Sequence, residues 1–231
     1  MKFHRFITPF DLSKKTVIIT EQELVRQINK VLHLNIGEQI ILCDKSGNEL
    51  LAEIFSIGKN VECRVIEKRK NEVESERYVT LYCSILKKDN FDLVVQKATE
   101  VGVKEIVPIV CERTIKKEVN LDRLNKIAKE AAEQSGRIFV PIISAPLKLK
   151  NAIEKAKEND LNVVFQMIEK NFEDKILNNK KKVGIFIGTE GGWTENEIVA
   201  MKENDFLALS LGKTILRGET AAIVASYVVC H

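Results

Sequence analysis

Three charged side chains stand among glycines near the end of the chain. Glu190 lies inside Gly188-Thr189-Glu190-Gly191-Gly192, and Arg217 and Glu219 lie within Leu211-Gly212-Lys213-Thr214-Ile215-Leu216-Arg217-Gly218-Glu219-Thr220-Ala221-Ala222. A carboxylate can take a proton or offset a cation, and a guanidinium can stabilise a developing anion. Neither is readily buried alone, so Arg217 and Glu219 in front of an apolar helix are either a structural ion pair or a working site. The glycines of the first loop permit positive φ and close approach to a ligand. By themselves they would read equally as a tight turn, and Glu190 together with a second loop of the same kind favours a ligand.

The elements that carry these loops are legible. Val183–Ile187 is an apolar run after Lys180, Lys181 and Lys182, as suits a buried parallel strand whose C-terminal end is the ligand edge. Thr194 and Glu197 form a capping-box pattern that starts the next helix. Phe206–Leu211 predicts a second strand ending at Gly212, and Glu219–Cys230 is apolar almost all round, as a central helix is. Two strand–loop–helix units in tandem at one sheet edge predict a pocket.

Further upstream the chain reads as two parts. Short strands are predicted at Phe3–Ile7, Thr16–Ile19, Gln39–Cys43, Glu49–Phe55 and Val61–Glu67, around one helix from Glu21 to about Leu32 and a hairpin turn at Asp44–Asn48, which fits a small β-barrel. The charged stretch Lys68–Arg77 reads as a solvated linker, with the boundary near residue 73. Beyond it, strands at Tyr78–Leu86, Glu105–Val110, Phe139–Ile143, Asn162–Met167, Val183–Ile187 and Phe206–Leu211 alternate with helices. Those helices are predicted at Phe91–Val101, Leu121–Ser135, Leu149–Asn159, Glu195–Glu203 and Glu219–Cys230, an α/β pattern with a mostly parallel sheet.

Composition narrows the function classes. The 231 residues, 45% hydrophobic, can pack one large domain or two small ones. Neither a long apolar run nor an apolar N-terminal signal segment is visible, so a soluble, cytoplasmic protein is expected, without membrane partners. Five widely spaced cysteines in apolar runs argue for buried thiols over disulfides or a zinc site, and no metal is expected. A net charge of +3 permits a nucleic-acid partner without requiring one. The phosphate-loop and dinucleotide fingerprints do not occur, which removes the main support for kinase-like and Rossmann dehydrogenase readings.

The glycine loop at 188–192 and Leu211–Ala221 resemble the SPOUT class of knotted, S-adenosylmethionine-dependent RNA methyltransferases. Lys97-Ala98-Thr99-Glu100-Val101-Gly102-Val103, Cys111-Glu112-Arg113-Thr114 and Ala132-Glu133-Gln134-Ser135-Gly136-Arg137, after an Arg5-Phe6 start, resemble the ribosomal RNA small subunit methyltransferase E family in order and spacing. The resemblance implies a C-terminal SPOUT-type domain over 73–231 with a deep trefoil knot, a PUA-like β-barrel RNA-binding domain over 1–72, and a homodimer formed through the knotted domain. It implies methylation of N3 of a uridine in 16S rRNA, on the RNA or the small ribosomal subunit, with S-adenosyl-L-methionine as methyl donor. Cofactor contacts are implied at Phe165, Gln166, Met167, Gly188, Glu190, Gly191, Gly192, Leu211, Gly212, Ile215 and Leu216. Catalytic roles are implied at Arg217 and Glu219, Arg217 for the developing uracil anion, and the general base stays open among Glu100, Glu190 and Glu219. Arg5, Arg26, Lys30, Arg113 and Arg137 are the candidate RNA contacts. This chain departs from the family with Thr189 where proline is usual, and with Gln27 and His33 where basic groups are usual. Another target, such as a ribose 2′-hydroxyl, and a non-enzymatic RNA-binding or ribosome-assembly protein are the alternatives.

Overall fold

The computed structural model describes residues 3–44, 46–71, 73–87, 89–167 and 170–231. Two compact units emerge, one of Met1–Glu74 with Glu133–Phe139 and one of Ser75–Ala132 with Val140–His231. The turn predicted at Asp44–Asn48 and the linker at Lys68–Arg77 each include one residue outside the described set, Lys45 and Glu72.

In the first unit, β1 (His4–Ile7), β2 (Thr16–Ile19), β3 (Gln39–Cys43), β4 (Asn48–Ile57) and β5 (Val61–Lys70) form one sheet in the order β1-β3-β4-β5-β2. Only the β1–β3 pair is parallel. The inward side chains, among them Phe6, Ile40, Leu42, Leu50, Ile54 and Val61, close a core with Leu24 and Ile28. Two expectations are corrected here. The charged residues Lys68, Arg69 and Lys70 are not linker but the end of β5, paired with Leu50, Glu49 and Asn48; a backbone ladder tolerates charge wherever side chains face water. The single helix expected to about Leu32 is α1 (Gln22–Arg26) running into a wider π-turn over Gln27–Val31. Leu32 N donates to Gln27 O across five residues, and His33 at φ 52° ends the turn.

The second unit is a seven-stranded sheet, with every described pairing parallel. Its strands are β6 (Tyr78–Ser84), β7 (Glu105–Val110), β8 (Ile142–Ile143), β9 (Leu147–Lys148), β10 (Leu161–Phe165), β11 (Lys182–Ile187) and β12 (Leu207–Leu209), in the order β12-β10-β11-β6-β7-β8 with β9 against the end of β7. The helices are α2 (Asn90–Glu100), α3 (Leu121–Ser135), α4 (Leu149–Ala156), α5 (Glu195–Lys202) and α6 (Gly218–Cys230). The strand expected at Phe139–Ile143 shrinks to two residues, since Pro141 has no N–H for a ladder.

Alternation along the strands builds a core on each face. Val79, Leu81, Cys83, Val183, Ile185 and Ile187 join Val94, Ala98, Ala222 and Val229 on one side. Tyr82, Phe186 and Val107 meet Ala152, Ile153, Met201 and Phe206 on the other, with the Tyr82 and Phe186 rings stacked at 4.3 Å. Gly184 is required in β11, because a Cβ there would lie 2.3 Å from Asn162 Oδ1. All five cysteines are free and buried, as their apolar settings foretold. Among the described residues no helix is long and apolar enough to cross a membrane.

Candidate active site

Parallel strands place their C-terminal ends at one edge, and the loops leaving β10, β11 and β12 enclose a cavity of about 370 Å³ there. Phe165, Gln166 and Met167 supply one wall, and Gly188, Glu190, Gly191 and Gly192 a second. Leu211, Ile215 and Leu216 supply the third. Gly212 does not line the cavity. At φ 140° it shapes the loop instead, its N–H donating to Ser210 Oγ at 3.2 Å while Ser210 Oγ donates to its carbonyl at 2.8 Å.

The glycine loop is held from several directions. Its turn closes through Gly192 N to Thr189 O at 2.8 Å, and the Thr189 hydroxyl accepts from Gly191 N at 3.3 Å and donates to Gly192 O at 3.4 Å. Thr189 thus replaces the stiffness of a proline with hydrogen bonds. Trp193, just after the loop, donates from its indole N–H to Phe165 O at 3.3 Å and so ties the loops after β10 and β11 together. A Cβ on Gly188 would approach that indole to 3.1 Å, so any larger residue would press on the ring.

The capping box that starts α5 forms as predicted, and it does more than cap. Glu197 accepts from Thr194 N at 2.9 Å and, with its other oxygen, from Glu112 N at 2.8 Å. This fixes Cys111–Thr114 beside the glycine loop, where Arg113 donates to the carbonyl of Gly191. Arg113 therefore serves the loop's backbone, although its side chain stays exposed.

A second cavity of about 300 Å³ is lined by Asn90, Glu190, Ile215, Leu216, Arg217 and Glu219, and shares Glu190, Ile215 and Leu216 with the first. Among the described residues Arg217 and Glu219 form no ion pair with each other. Glu219 is only 9% exposed, and its Oε2 has no hydrogen-bond partner among the described residues. A buried carboxylate oxygen with no donor is costly unless a ligand supplies one. The other two carboxylates are engaged: Glu190 accepts from Lys87 N at 3.0 Å, and Glu100, at the far end of α2, holds Lys97 Nζ at 2.8 Å. Of the thiols behind the site, burial pushes Cys111 up to about 12 and raises Cys83 as well. Both stay neutral and are no nucleophiles.

Of the other candidate cations, Arg26 and Lys30 are exposed. Arg5 is not available for phosphate, since it is paired with Glu49 and mostly buried. Arg137 is 3% exposed and grips Glu74 twice, from Nε at 3.1 Å and Nη2 at 2.9 Å. The expected RNA contact at Arg137 is thus corrected: a guanidinium buried on a carboxylate has no face left for RNA.

Residues 73–229 match the model of the RNA methyltransferase domain family. The chain belongs to this RNA methyltransferase family. Within it, the chain is 33% identical to the ribosomal RNA small subunit methyltransferase E of Bacillus subtilis, over 91% of this chain and 88% of that one. It is 30% identical to the protein of the same name from Rickettsia conorii, over 97% and 94% of the two chains. A crystal structure of a ribosomal RNA small subunit methyltransferase E from Neisseria gonorrhoeae, bound to S-adenosylmethionine, superposes with a TM-score of 0.87 at 32% identity, covering 97% of this chain and 95% of that one.

Sequence reasoning missed Trp193 and Ser210 in the cavity wall and Asn90 in the smaller cavity. Trp193 had a signal, being the one tryptophan and placed against the glycine pair. Asn90 had none.

Proposed function

We propose that this RNA methyltransferase transfers a methyl group from S-adenosylmethionine to N3 of a uridine in 16S rRNA of the small ribosomal subunit, in the cytoplasm. The observation that carries the reading is the unpartnered Glu219 Oε2 beside the unpaired Arg217, in a cavity that shares walls with a larger one. The larger cavity fits the cofactor. Its volume suits a nucleoside-sized ligand, its apolar and glycine lining suits a neutral adenosine, and Glu190 stands where a carboxylate can offset a cation. Bound there, S-adenosylmethionine supplies an electrophilic methyl group. Phe165 to Met167, Gly188 to Gly192 and the Leu211–Leu216 loop would hold it, with Trp193 keeping two of those loops in register.

The chain's own residues then act on the base. Glu219 Oε2 accepts the N3 proton, the role its missing donor leaves open, and the N3 electron pair is freed to form the new bond. Arg217 donates to a carbonyl oxygen on which negative charge develops. Glu219 is preferred over Glu100, both of whose oxygens hold Lys97 Nζ, and over Glu190, whose Oε1 already accepts from Lys87 N.

The first unit, residues 1–72 in this reading, is a PUA-like barrel that binds RNA, with Arg26 and Lys30 as its phosphate contacts. The second, over 73–231, is a SPOUT domain with a trefoil knot. Support for the knot lies in the strand order, which sets β11 between β6 and β10 and returns β12 beyond β10. Support for a homodimer through this domain lies on α6, whose Ile223, Val224, Tyr227 and Val228 follow helical spacing without being fully buried.

The test is to incubate the protein with S-adenosylmethionine and small subunits lacking the modification, then analyse digested rRNA by nucleoside mass spectrometry. New 3-methyluridine, reduced about a hundredfold by Glu219→Gln, is the expected result. A 2′-O-methylated nucleoside instead, or no product beside an active control enzyme, would overturn it.

A further inference from the structure

Asn90 is the first residue of α2, and it lines the smaller cavity with Arg217 and Glu219. It is half-buried, and its carboxamide has no hydrogen-bond partner among the described residues. Among the described residues the side chain holds no other group. Besides Glu190, which accepts from Lys87 N, three polar groups with no partner among the described residues line this space: a carboxamide that can donate or accept, a guanidinium that only donates, and a carboxylate oxygen that accepts. Ile215, 81% exposed, adds an apolar surface on which a flat ring can rest.

The two pyrimidines of RNA differ on their pairing edges. Uracil presents an N3–H donor between two carbonyl acceptors, whereas cytosine presents a bare N3 acceptor between one carbonyl and an amine donor. With Glu219 taking the N3 proton, uracil's two carbonyls need two donors, and the cavity has two to give, Arg217 and Asn90. Cytosine in the same place would set the N3 lone pair against the carboxylate and its amine against a donor. Leaving such groups mispaired on binding discriminates more strongly than shape does.

We infer that Asn90 is a specificity-determining residue that donates from Nδ2 to one uracil carbonyl, completing with Arg217 and Glu219 a donor and acceptor set that admits uracil and rejects cytosine. This rests on the proposed uracil-N3 reaction, and the two can fail separately.

The experiment uses full-length wild type and Asn90→Ala on small subunits reconstituted with uridine, 2-thiouridine or 4-thiouridine at the target, sulfur being the poorer acceptor. Asn90→Ala should lower kcat/KM on the uridine subunits about tenfold, the scale of one hydrogen bond lost at the transition state. Cofactor affinity by calorimetry should be unchanged. The loss should shrink on one of the two thio substrates, where the bond is already weak in the wild type. Unchanged activity on the uridine subunits, or the same loss on all three substrates, would overturn the role of Asn90. Wild type that binds cofactor yet makes no N3-methylated product would sink the reaction itself, and the role with it.

Discussion

Charge is handled in opposite ways in the first unit and at the mouth of α6. In the first unit Arg5 is closed by Glu49 and Arg137 by Glu74, both with little exposure. At α6, Arg217 and Glu219 stand close in sequence, line one cavity and leave each other unpaired. Fully paired charge fixes the path of a chain, while unpaired charge in a cavity is held for something that arrives later. The family resemblance alone makes Arg5, Arg137, Arg217 and Glu219 all candidate site residues, and burial and pairing set them apart.

The sharpest attempt to break this contrast is Arg217→Ala. It should lower methylation by about a hundred- to a thousandfold, the cost of removing one donor from a developing anion, with cofactor affinity and Tm unchanged. A fall in Tm with activity per folded molecule intact would make Arg217 structural after all. Next comes Arg137→Met, which leaves Glu74 without its cation and should reduce unfolding stability by about 3 kcal/mol in a denaturant titration. Methylation by the folded fraction should persist, and weakened RNA binding at full stability would return Arg137 to the RNA surface.

Smaller effects refine the picture. Thr189→Val keeps the shape but removes both hydroxyl hydrogen bonds of the glycine loop, and calorimetry should find S-adenosylmethionine affinity reduced about fivefold. An unchanged affinity would mean that the backbone turn suffices. At alkaline pH the comparison turns to a group in the first unit that has no charge to pair. Burial pushes Cys63 from 9.0 up to about 12, so the unfolded chain ionises it first. Its contribution is complete below about 9 and drains away as pH rises towards 12, lowering Tm over that window. Cys63→Ala should flatten part of that slope; an identical slope would place the alkaline loss elsewhere.

Much of the second unit was legible because its signals are local. Continuous apolar runs gave β6, β7 and β11, the Thr194–Glu197 spacing gave the start of α5, and glycines marked both cavity loops. What escaped depends on residues distant in sequence. Nothing near Arg137 announces Glu74, and nothing near Trp193 announces the carbonyl of Phe165. The end of β5 escaped for another reason: a run of Lys, Arg and Lys looks like a linker unless the partner strand is known. Glu219 and Glu100 could not be ranked from sequence, since both sit in matching blocks and differ in where the fold puts them: Glu219 in the cavity, Glu100 on Lys97 outside it.

Trp193 is the chain's one tryptophan, and it stands in the wall of the larger cavity. Its fluorescence therefore comes from that wall alone, with no second indole to dilute it. With the cofactor in that cavity, as proposed, the protein carries its own optical gauge of loading, and each variant above can be titrated by emission without a label.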